Sequence, residues 1–171
     1  VSMFDMAMRP SAKSPGRTYK FYTGTPVYEF GSGLSYTTFS YSTDRARRLS
    51  TISINDLMPK GDETERLIVD VIRVNVTNTG DRPGDDVGLA YVSLPATMKD
   101  NVVPFKQLFG FERVHLAMNE TREVFFPFSI RSALTVDRHG TKWIQPGSYR
   151  IRIGKEYLYE IRLQGEAKRL M

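Results

Sequence analysis

The sequence predicts an all-β chain folded as an antiparallel sandwich of two sheets, and three observations carry that prediction. First, Leu67 to Pro95 reads as two strands around the polar, glycine-bearing break Asn78-Thr79-Gly80-Asp81-Arg82-Pro83-Gly84. Ile72, Val74 and Val76 alternate with Arg73, Asn75 and Thr77, the period of a strand with one face on a core and one in water. Val87, Leu89 and Tyr91 mark the apolar face of the second strand, although Ala90 and Val92 blur it. Second, apolar faces of this length need an opposing layer, and Val124, Phe126, Phe128 and Ile130 offer one, as do Tyr149, Ile151 and Ile153. Third, about seven such stretches are separated by turn signals every ~8–12 residues, with no amphipathic helix and no fixed repeat of the solenoid or propeller kind.

With 171 residues there is room for one large β-domain, or one domain plus an appendage. A composition 40% hydrophobic and 12% aromatic can bury a core, which excludes global disorder. There is no cysteine, so disulfides and thiol chemistry are excluded. No apolar run reaches the ~20 residues of a membrane-spanning helix. The start at Val1 rather than Met, without a charged-then-apolar leader, leads us to expect a fragment or a processed product. The net charge of +5 would suit nucleic acid, but the basic residues are dispersed and the densest knot, Arg45-Ala46-Arg47-Arg48, is four residues long. No glycine-aromatic stacking run accompanies it, so a solvated surface charge is the better reading.

Taken in order, Met3, Phe4, Met6 and Met8 form too short a pattern to define an element, and Pro10, Pro15 and Gly16 disfavour a helix through this region. Arg17 to Tyr22 reads as a short extended segment, followed by the turn Thr23-Gly24-Thr25-Pro26. Tyr28 to Tyr41 is dense in aromatics, and Gly31 and Gly33 permit positive φ or close backbone approach. The spacing matches the start of a phosphate-cradling GxGxxG, but Tyr36 takes the sixth position and no helix pattern follows. An aromatic-anchored connection packed on a neighbouring surface is expected instead. Phe39 and Tyr41 begin one strand; Leu49, Ile52 and Ile54 mark another, and Pro59-Lys60-Gly61-Asp62 breaks the chain. Leu108, Phe111, Val114 and Leu116 are the apolar contributors of the next strand, and Pro127 suits an edge or a bulge because it cannot donate to a ladder. Ala133 to Val136 leads to the turn at Asp137-Arg138-His139-Gly140; Trp143-Ile144 precedes Gln145-Pro146-Gly147. Leu158 to Leu163 adds a strand, and Gly165 to Met171 is expected to fray.

Two sets of motifs then point to a family. Pro15-Gly16-Arg17-Thr18-Tyr19-Lys20-Phe21-Tyr22, followed by Val27 to Phe39 (VYEFGSGLSYTTF), resembles the joint after the catalytic domains of glycoside hydrolase family 3. Val74-x-Val76-Thr77-Asn78-Thr79-Gly80, Gly84-Asp85-Asp86-Val87, Tyr91-Val92, Lys106-Gln107-Leu108-x-Gly110-Phe111-Glu112-Arg113-Val114-x-Leu116 and Pro146-Gly147-x-Tyr149 resemble the fibronectin type III-like domain that ends many of those enzymes. The resemblance covers nearly the whole chain in order. Glu29 stands where the family often has proline, Ser32 where it has an aromatic or histidine, and Asn119 where it usually has glycine. Asparagine tolerates the left-handed region, so that last turn is expected to survive.

The resemblance implies an immunoglobulin-like sandwich over residues 44–165, a joint over 1–43 and a tail over 166–171. It implies a non-catalytic accessory domain of a secreted, exo-acting, retaining β-glycosidase. The parent is expected to be a β-xylosidase acting on xylan-derived oligosaccharides, with β-glucosidase or α-arabinofuranosidase as alternatives. The partner implied is the set of catalytic domains of the same chain, met through Arg17, Tyr19, Phe30, Leu34, Tyr36 and Phe39; Arg17 to Tyr22 would also reach toward a sugar subsite. The other reading is a binding module for plant-type polysaccharide or lignin; neither nucleic acid nor membrane is an expected partner.

The family's aspartate nucleophile and its acid/base lie upstream of the joint, and a retaining pair stands ~5–5.5 Å apart. No substitute pair is visible here: Asp85 and Asp86 are strand neighbours and point to opposite faces, and Glu63 and Glu65 share a parity in a charged loop without an apolar wall. His115 and His139 are too few and too far apart for a zinc set, no GxSxG occurs, and His139 reads as a turn residue. Asp81, Asp85 and Asp86 suit an Asx-type turn better than a weak calcium site, and Trp143 suits a core lid better than a sugar platform. No cofactor is expected. Asn119-Glu120-Thr121 and Asn75-Val76-Thr77 fit the N-glycosylation pattern, and Asn119, at a turn, ranks above the mid-strand Asn75.

Overall fold

Strands dominate the computed structural model, which describes residues 6–44, 49–57, 64–95, 103–137 and 139–170. They are β1 (Phe39–Ser42), β2 (Leu49–Ser53), β3 (Ile68–Asn78), β4 (Gly84–Ser93), β5 (Gln107–Leu116), β6 (Thr121–Ser129), β7 (Leu134–Val136), β8 (Lys142–Ile144), β9 (Gly147–Ile153), β10 (Glu156–Gln164) and β11 (Lys168–Leu170). A sheet of order β1-β3-β6 faces a sheet of order β2-β10-β9-β4-β5, and β11-β8-β7 forms a third, small sheet. The sandwich is therefore all-β as expected, with one parallel pair: β2 enters the second sheet at its edge and runs alongside β10. Met3, Phe4, the Arg45–Arg48 knot, the Pro59–Asp62 break and Glu63 lie outside the described residues.

Ile72, Val74 and Val76 of β3 and Val124, Phe126 and Phe128 of β6 point inward, as their alternation predicts. Across from them stand Val114 and Leu116 of β5, Tyr149, Ile151 and Ile153 of β9, and Ile161 and Leu163 of β10. In β4 the expectation inverts. Its core face is Gly88, Ala90 and Val92, whereas Val87 and Leu89 lie on the outer face. The reason is steric: a Cβ placed on Gly88 or Gly110 would stand 3.3 Å from the Phe126 ring, so small residues are needed beneath that phenylalanine. The larger apolar residues of β4 face out, where another part of the chain covers some of them.

Pro127 sits exposed on β6, at the edge of its sheet, where a missing N–H costs nothing. Four local expectations are corrected. Thr18–Phe21 forms a helical turn (α1) rather than an extended segment, and the strand marked by Val124, Phe126 and Phe128 ends at Ser129, so that Ile130 opens a second helical turn, α2 (Ile130–Ala133), instead of continuing it. Lys168–Leu170 pairs with β8 instead of fraying, and Phe39–Ser42, assigned to the joint, is a strand of the first sheet paired with β3.

Candidate docking surface

The joint is tied down before it reaches the sandwich. Thr23 N–H donates to the Pro15 carbonyl at 2.8 Å, Arg17 N–H to Met8 at 2.9 Å and Tyr22 N–H to Thr18 at 2.9 Å, which closes residues 15–23 into a loop. Gly16 has φ +83°, and a Cβ there would meet the Phe21 carbonyl oxygen at 2.5 Å. Thr18 has φ +62°, a conformation a β-branched residue holds only where its surroundings over-determine it. The loop docks on the start of β5: Phe105 N–H donates to the Lys20 carbonyl at 2.8 Å and Leu108 N–H to Tyr19 Oη at 3.3 Å. Because β5 is the last strand of its sheet, these bonds cap part of an open edge.

A second tie lies on the outer face of β4. The Tyr19 ring stacks on Phe30 (4.3 Å between centroids, 13° between planes) and meets Tyr91 edge-on at 6.1 Å. Tyr91 Oη donates to the Phe30 carbonyl at 3.2 Å. Lys106 Nζ and Arg152 Cζ stand 5.1 and 5.4 Å from the Tyr91 ring centroid, and both cations reach the Glu29 carboxylate, at 3.2 and 3.4 Å. The Lys106 bond and charge, then those of Arg152, hold the Glu29 carboxyl below its ordinary range, while burial pushes the Tyr91 phenol up. Gly31, at φ +84°, passes so close over β4 that a Cβ would stand 2.5 Å from Leu89 Cδ1 and 2.6 Å from Tyr91 Oη. Glu29, unexpected at a proline position, thus has a role: it is the shared counter-ion of two cations whose side chains are only 18% and 19% exposed.

Beyond Gly31 the joint reaches a third tie at the β3–β4 turn. Thr37 Oγ1 donates to Asn78 Oδ1 at 2.8 Å, and Thr79 N–H to the Thr38 carbonyl at 2.8 Å. Asn78 is fully buried; its Oδ1 also accepts Gly80 N–H at 3.1 Å, and its Nδ2 donates to the carbonyls of Arg82 (2.8 Å) and Leu116 (3.1 Å). The turn chemistry expected of Asp81, Asp85 and Asp86 belongs to Asn78. The three carboxylates go to different partners: Asp81 to Arg82, Asp85 to Arg113 and His115, Asp86 to Tyr41.

Between these ties the joint turns apolar side chains into solvent. Val27 is 91% exposed, Tyr28 83%, Leu34 105% and Tyr36 93%. Single exposed apolar residues are ordinary, but four large ones within ten positions of a well-tied segment form a ridge of the kind that contact surfaces carry. At its lower end Ser35, Tyr36, Thr37, Thr38, Thr79, Gly80 and Asp81 line an open groove of about 500 Å³.

The residues expected to dock divide into three groups. Leu34 and Tyr36 are outermost. Phe30, Tyr19 and Arg17 are partly covered, the first two in their own stack. Phe39 is half-buried and packs against the sandwich core, because β1 places it opposite Asn78. Trp143 is half-buried, with Nε1 donating to Asp137 Oδ2 at 3.0 Å; that bond comes first among those lowering the Asp137 carboxyl, ahead of the backbone N–H groups of Thr141 and His139. Asn119 is exposed at φ +60° in the β5–β6 turn, and Asn75 is paired on both sides, with Ser42 and Glu123. Sequence reasoning missed Glu29, Lys106 and Arg152 as partners, because nothing local links positions so far apart.

The family model described as a fibronectin type III-like domain matches residues 86–157. A probable exo-1,4-β-xylosidase (xlnD) of Aspergillus clavatus is 35% identical over 158 residues, covering 89% of this chain and 20% of that protein. A probable β-D-xylosidase of Arabidopsis thaliana is 35% identical over 179 residues, covering 90% and 22%. A solved glycoside hydrolase family 3 exo-β-xylosidase (XlnD), in complex with a xylobiose aziridine activity-based probe, superposes with a TM-score of 0.87 at 33% identity, over 98% of this chain and 23% of that one. The chain spans about a fifth of the length of the relatives it matches.

Proposed function

From the premise that this chain carries the joint and the fibronectin type III-like domain of the C-terminal region of glycoside hydrolase family 3 enzymes, we propose that it is a non-catalytic accessory domain. It stabilises the catalytic domains of the same polypeptide by burying the ridge of Val27, Tyr28, Leu34 and Tyr36 against them. On this reading the joint ends where β1 begins at Phe39, the sandwich runs from there through β11, and the parent is a secreted β-xylosidase acting on xylan-derived oligosaccharides. The observation that carries the proposal is the ridge itself. Its backbone is tied at Pro15–Thr23, at Glu29–Gly31 and at Thr37–Asn78, so its apolar side chains are held outward rather than left loose.

The exposed rings of Tyr28 and Tyr36 also suit stacking on a polysaccharide, but Val27 and Leu34 between them offer no flat face to a sugar and suit a protein surface. The test uses the full-length polypeptide. Leu34→Ser with Tyr36→Ser should lower the temperature of half-inactivation of the glycosidase and speed proteolytic release of this domain, with the thermal midpoint of the isolated 171-residue chain unmoved. Unchanged inactivation and release would overturn the docking role; retention of the isolated chain on insoluble xylan or cellulose, lost in the double variant, would favour the binding module.

A further inference from the structure

The outer face of the second sheet carries apolar surface that the joint leaves bare. β4 is apolar on both sides: Ala90 and Val92 face the core, and Val87, Leu89 and Tyr91 lie on or toward the outside. An antiparallel strand ordinarily turns one face to water, so a second apolar face is a candidate for cover. The joint covers only part of the outer one. Gly31 sits over Leu89 and Tyr91, whereas Thr37 has already passed to the inner side of β4: a Cβ on Gly84, which shares the parity of Gly88 and Ala90, would meet Thr37 Cγ2 at 2.7 Å. Below that contact on the same face Val87 remains 42% exposed, and Phe111, paired with Leu89 across β4 and β5, 69% exposed.

We propose that Val87 and Phe111 extend the docking surface from the joint onto the β4–β5 sheet face, and that the same catalytic portion of the longer polypeptide covers them. The inference rests on the docking reading above. Next to the apolar pair, Asp85 accepts from Arg113 Nη2 at 2.6 Å and is bonded to His115 Nδ1 at 2.5 Å, so an arginine is held in place at its border. An aromatic centre with a fixed arginine at its rim is the composition of a protein interface. The far sheet differs: its exposed Phe125 is capped by its own Arg73, 5.6 Å from the ring, whereas Arg113 is turned to Asp85 and away from capping Phe111. The relation of joint to sheet is also that of an assembled enzyme, since the superposition on the longer solved chain runs through both over 98% of this one.

The experiment compares Phe111→Ser with the ridge variant Leu34→Ser/Tyr36→Ser, in the full-length polypeptide and in the 171-residue chain. Phe111→Ser should leave the thermal midpoint of the isolated chain unchanged and speed proteolytic release of the domain from the full-length polypeptide about tenfold, with Phe111→Leu retaining most of the protection. Release by the ridge variant with none by Phe111→Ser would overturn this inference and leave the docking reading standing. Silence of both variants would overturn the docking reading and this inference with it. A fall in the isolated chain's midpoint equal to that in the full-length polypeptide would make Phe111 a structural residue of the sandwich and overturn the inference alone.

Discussion

Gly31→Ala opens the joint without unfolding the sandwich. The position has φ +84°, where a β-carbon costs about 1–2 kcal/mol. The new Cβ would stand 2.5 Å from Leu89 Cδ1 and 2.6 Å from Tyr91 Oη, about 1 Å inside ordinary contact. Both atoms are side-chain ends that can yield, so the overpacking cost falls toward the lower part of the usual ~1–3 kcal/mol. What holds this stretch is of the same order. The Tyr19–Phe30 stack contributes ~0.5–1.5 kcal/mol, and the Tyr91 hydroxyl to the Phe30 carbonyl about as much. The Glu29 pairs add ~0–1 kcal/mol, since that carboxylate is 60% exposed. The substitution therefore matches or exceeds the local hold, while the core of β3, β6 and β9 is untouched. Hydrogen exchange followed by mass spectrometry should show faster exchange over residues 27–36 and at the start of β5, with the β3 and β6 amides and the urea midpoint unchanged. Gly33→Ala is the control: nothing lies within 4 Å of its Cβ position, and it should leave exchange unaltered. Equal effects of the two substitutions, or a lowered urea midpoint with a protected joint after Gly31→Ala, would refute the reasoning.

Other outcomes follow from the same contacts. The Glu29 carboxyl is depressed below its ordinary 4.5 by Lys106 and Arg152, so its hold on the joint is complete above that value and is lost as pH falls through the lower, folded-state one. Protection factors over residues 27–36 should drop on acidification below about pH 4.5 in the parent chain and be low and pH-insensitive in Glu29→Gln. Tyr41→Phe removes a hydroxyl that donates to Asp86 Oδ2 at 2.5 Å, a phenol whose burial, then its Asp86 bond, push its pKa up. The loss should be about 1.5–3 kcal/mol, read from the urea midpoint. Asn119→Gly keeps the left-handed turn at φ +60° while removing the glycan acceptor, so after passage through a eukaryotic secretory pathway the deglycosylation mass shift should disappear without loss of stability.

The strands of the first sheet were legible because period two is a local signal: Ile72, Val74 and Val76 each find the core by parity alone. The same rule misassigned β4, where Val87, Leu89 and Tyr91 outweigh Gly88, Ala90 and Val92 in size. Parity says which residues share a face, not which face meets the core, and the Phe126 ring decided that from across the sandwich. The ridge was half legible: its aromatic density marked Phe30, Leu34 and Tyr36, and also Phe39, which β1 pairing turned inward. The Glu29–Lys106–Arg152 tie was not legible, since its members are 77 and 123 positions apart.

The amino-acid order by itself determined the all-β class, the turns at Gly and Pro, the tolerated Asn119 and the likeness of the joint to its family, because each is a property of neighbours along the chain. Only the tertiary structure decided which apolar side chains are core and which are surface. That choice depends on what stands opposite each strand, and for β4 one face meets Phe126 while the other meets Gly31 and then open solvent.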